Sequence, residues 1–274
     1  MTDAMTVRRA LAQAGLAPID AQVLLAHVLS RDRAWLVAHA TDALAADQVD
    51  AFFALARRRR EGEPVAYLTG VREFFGLPLA VDRSVLIPRP ETETLVEWAL
   101  RKLPADRPLR LLDLGTGSGA IALAIAQARP GSTVVATDNS ADALSVARGN
   151  AARLQLSNIE WLRADWFDGL GVAQFDAIVS NPPYVAAGDP HLAAGHVRHE
   201  PSHALASGPD GLDALRVIVA GAADHLVPGG WLAVEHGYDQ TVPVRGLLQQ
   251  ARFGDLESLR DLSGIPRVAA GRAA

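Results

Sequence analysis

The sequence has 274 residues, of which 49% are hydrophobic and 21% are charged, and its formal net charge is −5. This length allows one large and one small domain, and the composition is that of a folded globular protein rather than a disordered chain. The absence of cysteine excludes disulfide bonds, thiolate metal sites and a cysteine nucleophile. The acidic balance argues against stable binding to a long nucleic acid, because phosphate contacts require a basic surface.

The beginning of the chain and its apolar stretches argue against secretion and against a membrane span. Residues 1–16 carry Asp3, Arg8 and Arg9 inside a helical pattern and lack the basic-then-apolar order of a signal peptide. No apolar run approaches the roughly 18 residues that a spanning helix needs. We therefore expect a cytoplasmic protein that does not associate with a membrane.

Residues 1–64 predict a small helical domain. Apolar residues such as Leu24, Leu25 and Val28 recur at helical spacing, and residues 44–60 predict a further helix. A bundle of this size is too small to carry much chemistry by itself.

One basic run, Arg57-Arg-Arg-Arg60, ends the last of these predicted helices and is followed by Glu61 and Glu63. Cations at a helix C-terminus complement the helix dipole, so a solvated helix end is one interpretation. A docking patch for an acidic or RNA partner is the other.

Residues 65–87 predict a β-hairpin or an extended linker. Apolar residues partly alternate there and glycines interrupt them: Val65, Tyr67, Gly70, Phe74, Phe75, Gly76, Leu77, Leu79 and Val81. The Pro-Arg-Pro sequence of residues 88–90 ends this stretch, and residues 91–103 predict a helix.

Residues 88–274 predict an α/β domain. Short apolar strands alternate with helical stretches, which indicates a parallel sheet buried on both faces, and right-handed crossovers then give a doubly wound fold. The predicted strands are 109–114, 133–137, 159–162, 175–180 and 230–235. The predicted helices are 120–128, 141–154 and 212–226, and residues 254–270 are expected to add two final strands.

A glycine-rich loop, Asp113-Leu-Gly-Thr-Gly-Ser-Gly119, follows the first strand of this domain. Glycines permit a sharp turn and close approach of a ligand to the backbone, and the following helix start offers free N–H groups. The G-x-G-x-G spacing differs from the G-x-G-x-x-G of nicotinamide binders. It resembles the loop of class I methyltransferases, which implies S-adenosylmethionine as cofactor. The candidate cofactor-binding residues here are Asp113, Gly115, Thr116, Gly117, Ser118 and Gly119.

Three further residues at strand ends are candidates for binding the same cofactor. Asp138 ends the second strand, where a carboxylate can accept hydrogen bonds from both ribose hydroxyls, although a helix-capping role is the alternative. Asp165 and Trp166 follow the third strand. The carboxylate of Asp165 can accept from an adenine amine and the indole of Trp166 can pack on the ring, with a core position as the alternative for Trp166.

A stiff loop, Asn181-Pro-Pro-Tyr184, follows the fourth strand at the sheet edge where α/β proteins bind ligands. The prolines fix the backbone and remove N–H donors, so the loop is rich in acceptors, and the Asn181 side chain adds another. Such a loop can hold the –NH2 group of a planar amide or base, with Tyr184 offering a flat face. We therefore expect Asn181, Pro182, Pro183 and Tyr184 to bind the methyl acceptor and to act in catalysis by positioning and by fixed dipoles. Asn181 is also a candidate cofactor-binding residue.

The sequence His199-Glu-Pro-Ser-His203 matches the H-E-x-x-H zinc pattern. That pattern requires both histidines on one face of a helix, and proline in a helix interior costs about 3 kcal/mol or more. A structural loop is therefore favoured over a zinc site, and no metal is expected.

Several motifs together resemble the PrmC/HemK family of glutamine methyltransferases acting on peptide-chain release factors. They are Glu63-Pro-Val-Ala-Tyr-Leu-Thr-Gly70, Phe74-Phe-Gly76, Leu86-Ile-Pro-Arg-Pro-Glu-Thr-Glu93, the glycine loop and Asn181-Pro-Pro-Tyr184. Asn-Pro-Pro-Tyr alone is shared with adenine-N6 methyltransferases. The block around Arg89 and the helical N-terminus are the selective parts.

This resemblance implies a fold, a substrate and roles for residues. The fold is a class I methyltransferase (Rossmann-like) doubly wound sheet with a small N-terminal helical bundle that docks the substrate. The substrate is the glutamine of the Gly-Gly-Gln loop in class I release factors, with Asn181 and a proline carbonyl orienting the amide and with Arg89 and Glu91 near the active site. An adenine-N6 nucleic-acid methyltransferase is the alternative, and a non-catalytic binding module is disfavoured by the intact loops.

Overall fold

The computed structural model describes residues 4–193 and 195–274. The chain divides into two compact units, residues 1–71 and residues 72–274. Because they bury separate hydrophobic clusters, each unit has a core of its own. Among the described residues, no helix has the length and apolar character needed to cross a membrane.

The first unit is a bundle of short helices. Side-chain caps begin two of them, since Thr6 accepts a hydrogen bond from the Arg9 N–H and Asp32 accepts one from the Trp35 N–H. Pro18 occupies the first turn of the longest apolar helix. The helices are α1 (Val7–Gln13), α2 (Pro18–Leu29), α3 (Arg33–Ala38), α4 (Ala46–Arg60) and α5 (Val65–Thr69).

The basic run at the end of α4 forms ion pairs within this unit through two of its arginines. Arg58 pairs with Glu63 at 2.8 Å, and Arg59 pairs with Asp20 of α2 at 2.8 Å. Arg57 is exposed. Two of the four arginines therefore have structural partners, which favours the helix-end interpretation over a continuous docking patch.

The stretch from residue 65 to residue 87 begins with helix rather than with extended chain. Residues 65–69 form α5, and Gly70 ends this helix in the left-handed conformation with φ of 72°. A two-stranded hairpin then follows, β1 (Val71–Phe74) and β2 (Leu77–Ala80). Phe75 and Gly76 at its turn both have positive φ, 51° and 78°, as a tight hairpin turn requires. The prediction of a β-hairpin or an extended linker for residues 65–87 did not include this helix.

The second unit contains a seven-stranded sheet in the order β5-β4-β3-β6-β7-β9-β8. The first five strands are parallel, and the two C-terminal strands join antiparallel. The strands are β3 (Arg110–Leu114), β4 (Thr133–Asp138), β5 (Ile159–Arg163), β6 (Phe175–Ser180), β7 (Leu226–Glu235), β8 (Gly254–Arg260) and β9 (Pro266–Arg272). The doubly wound α/β prediction is thus confirmed.

Helices cover both faces of this sheet because alternate strand residues are apolar in both directions. On β3, Leu111 packs in one core and Leu112 in the other. The helices are α6 (Glu93–Lys102), α7 (Ala120–Ala128), α8 (Ala141–Leu154), α9 (Asp213–Ala222) and α10 (Thr241–Gln250). Helix α9 is shorter than the predicted 212–226, because a 3-10 turn and the early start of β7 take its end.

The order of the strands places the ligand crevice. From β3 the chain proceeds outward to β4 and β5, and it then returns to the other side of β3 with β6. The carboxyl ends of β3 and β6 therefore flank the point where the strand order reverses, which is where open α/β sheets bind ligands.

Candidate active site

The glycine loop occupies the carboxyl end of β3. Gly115, Gly117 and Gly119 all have positive φ, at 72°, 56° and 85°, a conformation that glycine adopts without strain. Gly115 and Gly117 line an open cleft, and a Cβ on Gly117 would meet no atom within 4 Å. A Cβ on Gly119 would lie 2.9 Å from Leu123 and 3.2 Å from Ala147. Gly119 is therefore required by helix packing, whereas the first two glycines face the cleft.

Asp113 does not face this cleft. Its side chain is fully buried, and Oδ2 accepts hydrogen bonds from the Thr116 hydroxyl at 2.7 Å and the Ala122 N–H at 3.2 Å. Burial raises the pKa of Asp113 to about 7. Thr116 and Ser118 are also buried. The buried side chain of Asp113 therefore holds the loop from within, while the assignment of these three residues to the cofactor stays a prediction.

Asp138 lies at the end of β4 and lines the cleft. Its Oδ2 accepts from the Gly117 N–H at 2.9 Å, and its Oδ1 accepts from the Ser140 N–H at 2.9 Å. Ser140, not Asp138, caps helix α8 by accepting from the Ala143 N–H. Each carboxylate oxygen of Asp138 retains a further acceptor site toward the cleft.

Asp165 and Trp166 form another wall of the same cleft. Asp165 is exposed, so its carboxylate is accessible from solvent. Trp166 has a φ of 52°, and its ring lies 3.8 Å from a Cβ built on Gly115, which places indole and glycine loop side by side. Trp166 also packs at the edge of a core cluster. Trp166 therefore lies between the cleft and the core, and its contact with adenine stays a prediction.

The first cleft, defined by the glycine loop, Asp138, Asp165 and Trp166, fits a nucleoside. Carboxylates provide acceptors for hydroxyl and amine groups, while Val85, Leu86 and Ala143 provide apolar surface. These residues fit S-adenosylmethionine, whose adenosine carries both hydroxyls and an exocyclic amine.

A second cleft adjoins the first. It is bounded by Arg89, Tyr184, Val185, Leu192, Val197 and Leu205. Five residues line both clefts and form the boundary between them: Leu86, Asn181, Pro182, Pro183 and Ala204. The Asn181-Pro-Pro-Tyr184 loop thus stands where a group in one cleft meets a group in the other.

The side chain of Asn181 is anchored at its nitrogen end. Nδ2 donates to the Thr92 hydroxyl at 3.0 Å, and Oδ1 accepts no hydrogen bond from the described residues. Tyr184 is anchored at both ends, because its hydroxyl donates to Glu235 Oε1 at 3.2 Å and its carbonyl accepts from Gln240 Nε2 at 2.9 Å. The loop therefore presents a free amide oxygen on a rigid support.

Glu235 is a site residue that the sequence did not indicate. It ends β7, it is fully buried, and burial raises its pKa to about 7, with the Thr92 and Tyr184 hydroxyls opposing that shift. Burial of the phenol raises the pKa of Tyr184, and the neighbouring Glu235 carboxylate acts in the same direction. The signal available in the sequence was an acid at the end of a predicted strand, the same signal that marked Asp138.

The side chain of Arg89 is paired with another residue of this chain and is not left free for a substrate. It forms an ion pair with Glu200, whose side chain is fully buried and also accepts from the Ile87 N–H at 3.0 Å. Glu91 is half-buried and close enough to Glu235 to raise its pKa further. Arg89 lines the second cleft, Glu91 lines neither cleft, and a role in substrate binding stays a prediction for both residues.

The H-E-x-x-H segment is not a zinc helix. His199 ends one 3-10 turn and His203 belongs to another, with Pro201 between them. The central acid, Glu200, is occupied by Arg89. No cluster of three or more metal-binding side chains occurs in the described residues, and the favoured loop interpretation agrees with this geometry.

Comparison with known proteins shows the family to which this chain belongs. Residues 5–70 match the family described as PrmC N-terminal domain, and residues 96–208 match Methyltransferase small domain. A release factor glutamine methyltransferase of Xylella fastidiosa (strain Temecula1) is 52% identical over 93% of this chain and 92% of its own length. The chain belongs to the release factor glutamine methyltransferase family. The enzyme of the same name from Escherichia coli K12 is 47% identical over 92% of this chain and 91% of its own length.

Solved structures that are more distant in sequence share the fold of this family. The catalytic domain of hMettl16 aligns with a TM-score of 0.58 at 18% identity, covering 76% of this chain and 79% of that chain. A 16S rRNA N2 G1207 methyltransferase of Thermus thermophilus, solved with AdoMet and guanosine, aligns with a TM-score of 0.54 at 21% identity, covering 74% and 50%. The prediction of a class I methyltransferase fold is confirmed.

Proposed function

We propose that this protein transfers a methyl group from S-adenosylmethionine to the side-chain amide nitrogen of the glutamine in the Gly-Gly-Gln motif of class I release factors. The observation that supports this most strongly is the position of Asn181-Pro-Pro-Tyr184 on the boundary between the two clefts. The first cleft fits the cofactor, and the second offers an acceptor side chain a route to Asn181.

When bound, the cofactor supplies an electrophilic methyl group. Asp138 accepts from the ribose hydroxyls in this proposal, Asp165 accepts from the adenine amine, and the Trp166 indole packs against the purine. Gly115 and Gly117 let the backbone approach the cofactor without side chains in between. The contribution of the first cleft is therefore binding and alignment.

The contribution of the acceptor loop is orientation of a weak nucleophile. An amide nitrogen has its lone pair delocalised, so it reacts only when it is held in line with the methyl group. Asn181 Oδ1 and the Pro182 or Pro183 carbonyl accept hydrogen bonds from the two N–H groups of the amide. These hydrogen bonds fix the nitrogen and raise its electron density. Preorganised acceptors of this kind are worth roughly several kcal/mol of barrier.

No strong base is required at the acceptor nitrogen. Because the pKa of Tyr184 is raised, its side chain does not form a phenolate near neutral pH. Its hydroxyl already donates a hydrogen bond to Glu235. We infer that the amide loses its proton during or after methyl transfer, when the methylated nitrogen is far more acidic. Tyr184 then serves as a flat wall beside the glutamine side chain.

The first unit is assigned to partner docking in this proposal. Residues 5–70 match a domain named for this family, and the described helices supply no cluster of metal-binding residues and no glycine loop of their own. A helical bundle without a site of its own is suited to holding the release factor while its glutamine loop enters the second unit.

The proposal is tested by incubating the protein with labelled S-adenosylmethionine and a release factor, followed by mass spectrometry of the modified peptide. We expect one methyl group on the glutamine of Gly-Gly-Gln, and no labelling when that glutamine is replaced by alanine. A single-stranded, adenine-containing RNA or DNA serves as the competing acceptor. Equal labelling of that nucleic acid would contradict the protein-substrate assignment and favour the adenine alternative.

A further inference from the structure

One wall of the second cleft is formed by residues 195–206, which we call the turn segment. It contributes Val197, Ala204 and Leu205 to the lining of the cleft. The end of the segment is fixed beside the acceptor loop, because the Leu205 carbonyl accepts a hydrogen bond from the Val185 N–H at 2.9 Å. The position of the rest of this wall decides how much room the cleft leaves for an acceptor side chain.

The turn segment has almost no core of its own. It contains two 3-10 turns, Val197–His199 and Ser202–Ala204, and no longer helix or strand. The structure describes every residue of this segment, and Glu200 is the only one that is buried. Segments with few buried apolar contacts open at a low cost in free energy. The position of this wall therefore depends on how Glu200 is held.

Glu200 is held by groups that lie far away in sequence. Its Oε2 accepts a hydrogen bond from the Ile87 N–H at 3.0 Å, and its Oε1 accepts one from the Arg89 guanidinium. These donors lie 113 and 111 residues before it. Arg89 lines the second cleft, whereas Glu200 does not. The carboxylate therefore joins the turn segment to another wall of the same cleft without facing the cleft itself.

The chemistry of a carboxylate suits this contact. The two donors use different oxygens of Glu200, so the amide of a glutamine would turn its –NH2 group toward one of them. The side chain of Glu200 is 0% exposed and that of Arg89 is 26% exposed. A carboxylate buried without a cation is strongly unfavourable. Arg89 therefore supplies the charge that allows Glu200 to be buried.

We propose that Glu200 is a positioning residue that holds the turn segment against the stretch from Ile87 to Arg89, and that Arg89 acts in the second cleft by holding Glu200. This inference rests on the proposed function for its catalytic meaning, since that function assigns the second cleft to the glutamine. The attachment itself is a property of the free protein. Its effect on methyl transfer passes through the wall of the cleft, because Glu200 does not line it.

Hydrogen exchange followed by mass spectrometry tests the attachment without any substrate. We expect Glu200→Gln to speed the exchange of peptides from the turn segment by about tenfold, because one anchoring hydrogen bond is lost. Peptides from β3 and β4 should exchange as in the wild type. Unchanged exchange of the turn segment in Glu200→Gln overturns the proposal.

Glu257→Gln is the matched control for this change. Glu257 also accepts from one neutral N–H group, that of the Trp98 indole, and from one cation, Lys102. It lines neither cleft. We expect Glu257→Gln to lower the midpoint of thermal unfolding but to leave the exchange of the turn segment at the wild-type rate.

The kinetic test uses the release factor as the acceptor. We expect Glu200→Gln to lower kcat/KM for the release factor by about tenfold to a hundredfold, as for a small misplacement of the acceptor. The affinity for S-adenosylhomocysteine should stay within about threefold, because Asp138 and Gly117 are held by other hydrogen bonds. Glu257→Gln should leave both quantities unchanged. A wild-type kcat/KM in Glu200→Gln, or an equal loss of affinity for S-adenosylhomocysteine, overturns the positioning role.

A double-variant cycle decides how Arg89 acts. Arg89→Met removes the cation, whereas Arg89→Lys keeps a cation for Glu200 and should lose less activity. Adding Glu200→Gln to Arg89→Met should lower kcat/KM by less than about threefold further, because both changes break the same ion pair. Losses that multiply would instead assign Arg89 to direct contact with the acceptor and would overturn its role through Glu200.

The two proposals fail in distinguishable ways. If the wild type leaves the release factor unmodified but the turn segment exchanges faster in Glu200→Gln, the proposed function fails and the attachment by Glu200 stands. If the wild type methylates the glutamine and Glu200→Gln is equally active, the positioning role fails alone. Should Glu200→Gln not fold, as judged by thermal unfolding, the comparison of Arg89→Met with Arg89→Lys in the same two assays decides the outcome.

Discussion

The two clefts are built in different ways. The first cleft is lined by backbone at Gly115 and Gly117 and by acids at strand ends, each close in sequence to the strand that positions it. In the second cleft the loop at Asn181 is held by groups far away in sequence: Thr92 lies 89 residues before Asn181, and Glu235 lies 51 residues after Tyr184. The cofactor side is therefore specified locally, and the acceptor side depends on the assembled fold.

The largest expected effect on the acceptor side is that of Asn181→Ala. Removing Oδ1 leaves one amide N–H of the glutamine without its oriented acceptor, and we expect kcat to fall about a hundredfold to a thousandfold. The affinity for S-adenosylhomocysteine, measured by calorimetry, should stay within about threefold because the first cleft keeps its carboxylates. Full activity in Asn181→Ala would contradict the acceptor-loop mechanism. A parallel loss of affinity for S-adenosylhomocysteine would show that the first and second clefts do not act independently.

Asp138→Ala is the corresponding change on the cofactor side. It removes the proposed ribose contact together with the hydrogen bonds to the Gly117 and Ser140 N–H groups. We expect S-adenosylhomocysteine to bind about tenfold to a hundredfold more weakly. Asp142→Ala, at an exposed acid in the first turn of α8, is the control that should bind normally. An unchanged affinity in Asp138→Ala contradicts the assignment of this carboxylate to the cofactor.

A smaller effect is expected from pH, because the acceptor side contains an acid that titrates near neutrality. The pKa of Glu235 is raised to about 7 chiefly by burial, with Glu91 adding to the rise and the Tyr184 hydroxyl and Arg267 opposing it. Burial lowers the pKa of the neighbouring His236. Since the ionised carboxylate is the stronger acceptor for the Tyr184 hydroxyl, which anchors the acceptor loop, we expect kcat to decrease as pH falls through about 7. The decrease should flatten in Glu235→Gln.

The same titration has the opposite sign for stability. The folded-state pKa of Glu235 lies above its ordinary value, so folding favours the protonated form, and this stabilisation is lost as pH rises through about 7. Asp113, whose pKa burial also raises to about 7, acts in the same direction. Denaturant unfolding between pH 5 and pH 8 should therefore show less pH dependence in Glu235→Gln than in the wild type, with the part due to Asp113 remaining. An identical profile contradicts the raised pKa.

What the sequence could predict follows the same division. The strands, the doubly wound topology and the loops at Gly115 and Asn181 were all accessible, because hydrophobic period and glycine spacing are local signals. The inward direction of the Asp113 side chain could not be predicted, since a residue at a strand end faces the cleft or the core depending on the pleat and the next helix. Local signals also do not reveal that Thr92 and Glu235 are partners of the Asn181 loop or that Glu200 pairs with Arg89, because only the folded chain brings these residues together.

The most direct measurement is a crystal structure of the protein with S-adenosylhomocysteine and a release factor bound. We expect the cofactor in the first cleft with its ribose on Asp138, and the glutamine side chain in the second cleft with its amide N–H groups toward Asn181 Oδ1 and the Pro182 or Pro183 carbonyl. A glutamine bound away from Asn181, or an Asn181 whose nitrogen faces the glutamine amide nitrogen, would contradict this assignment.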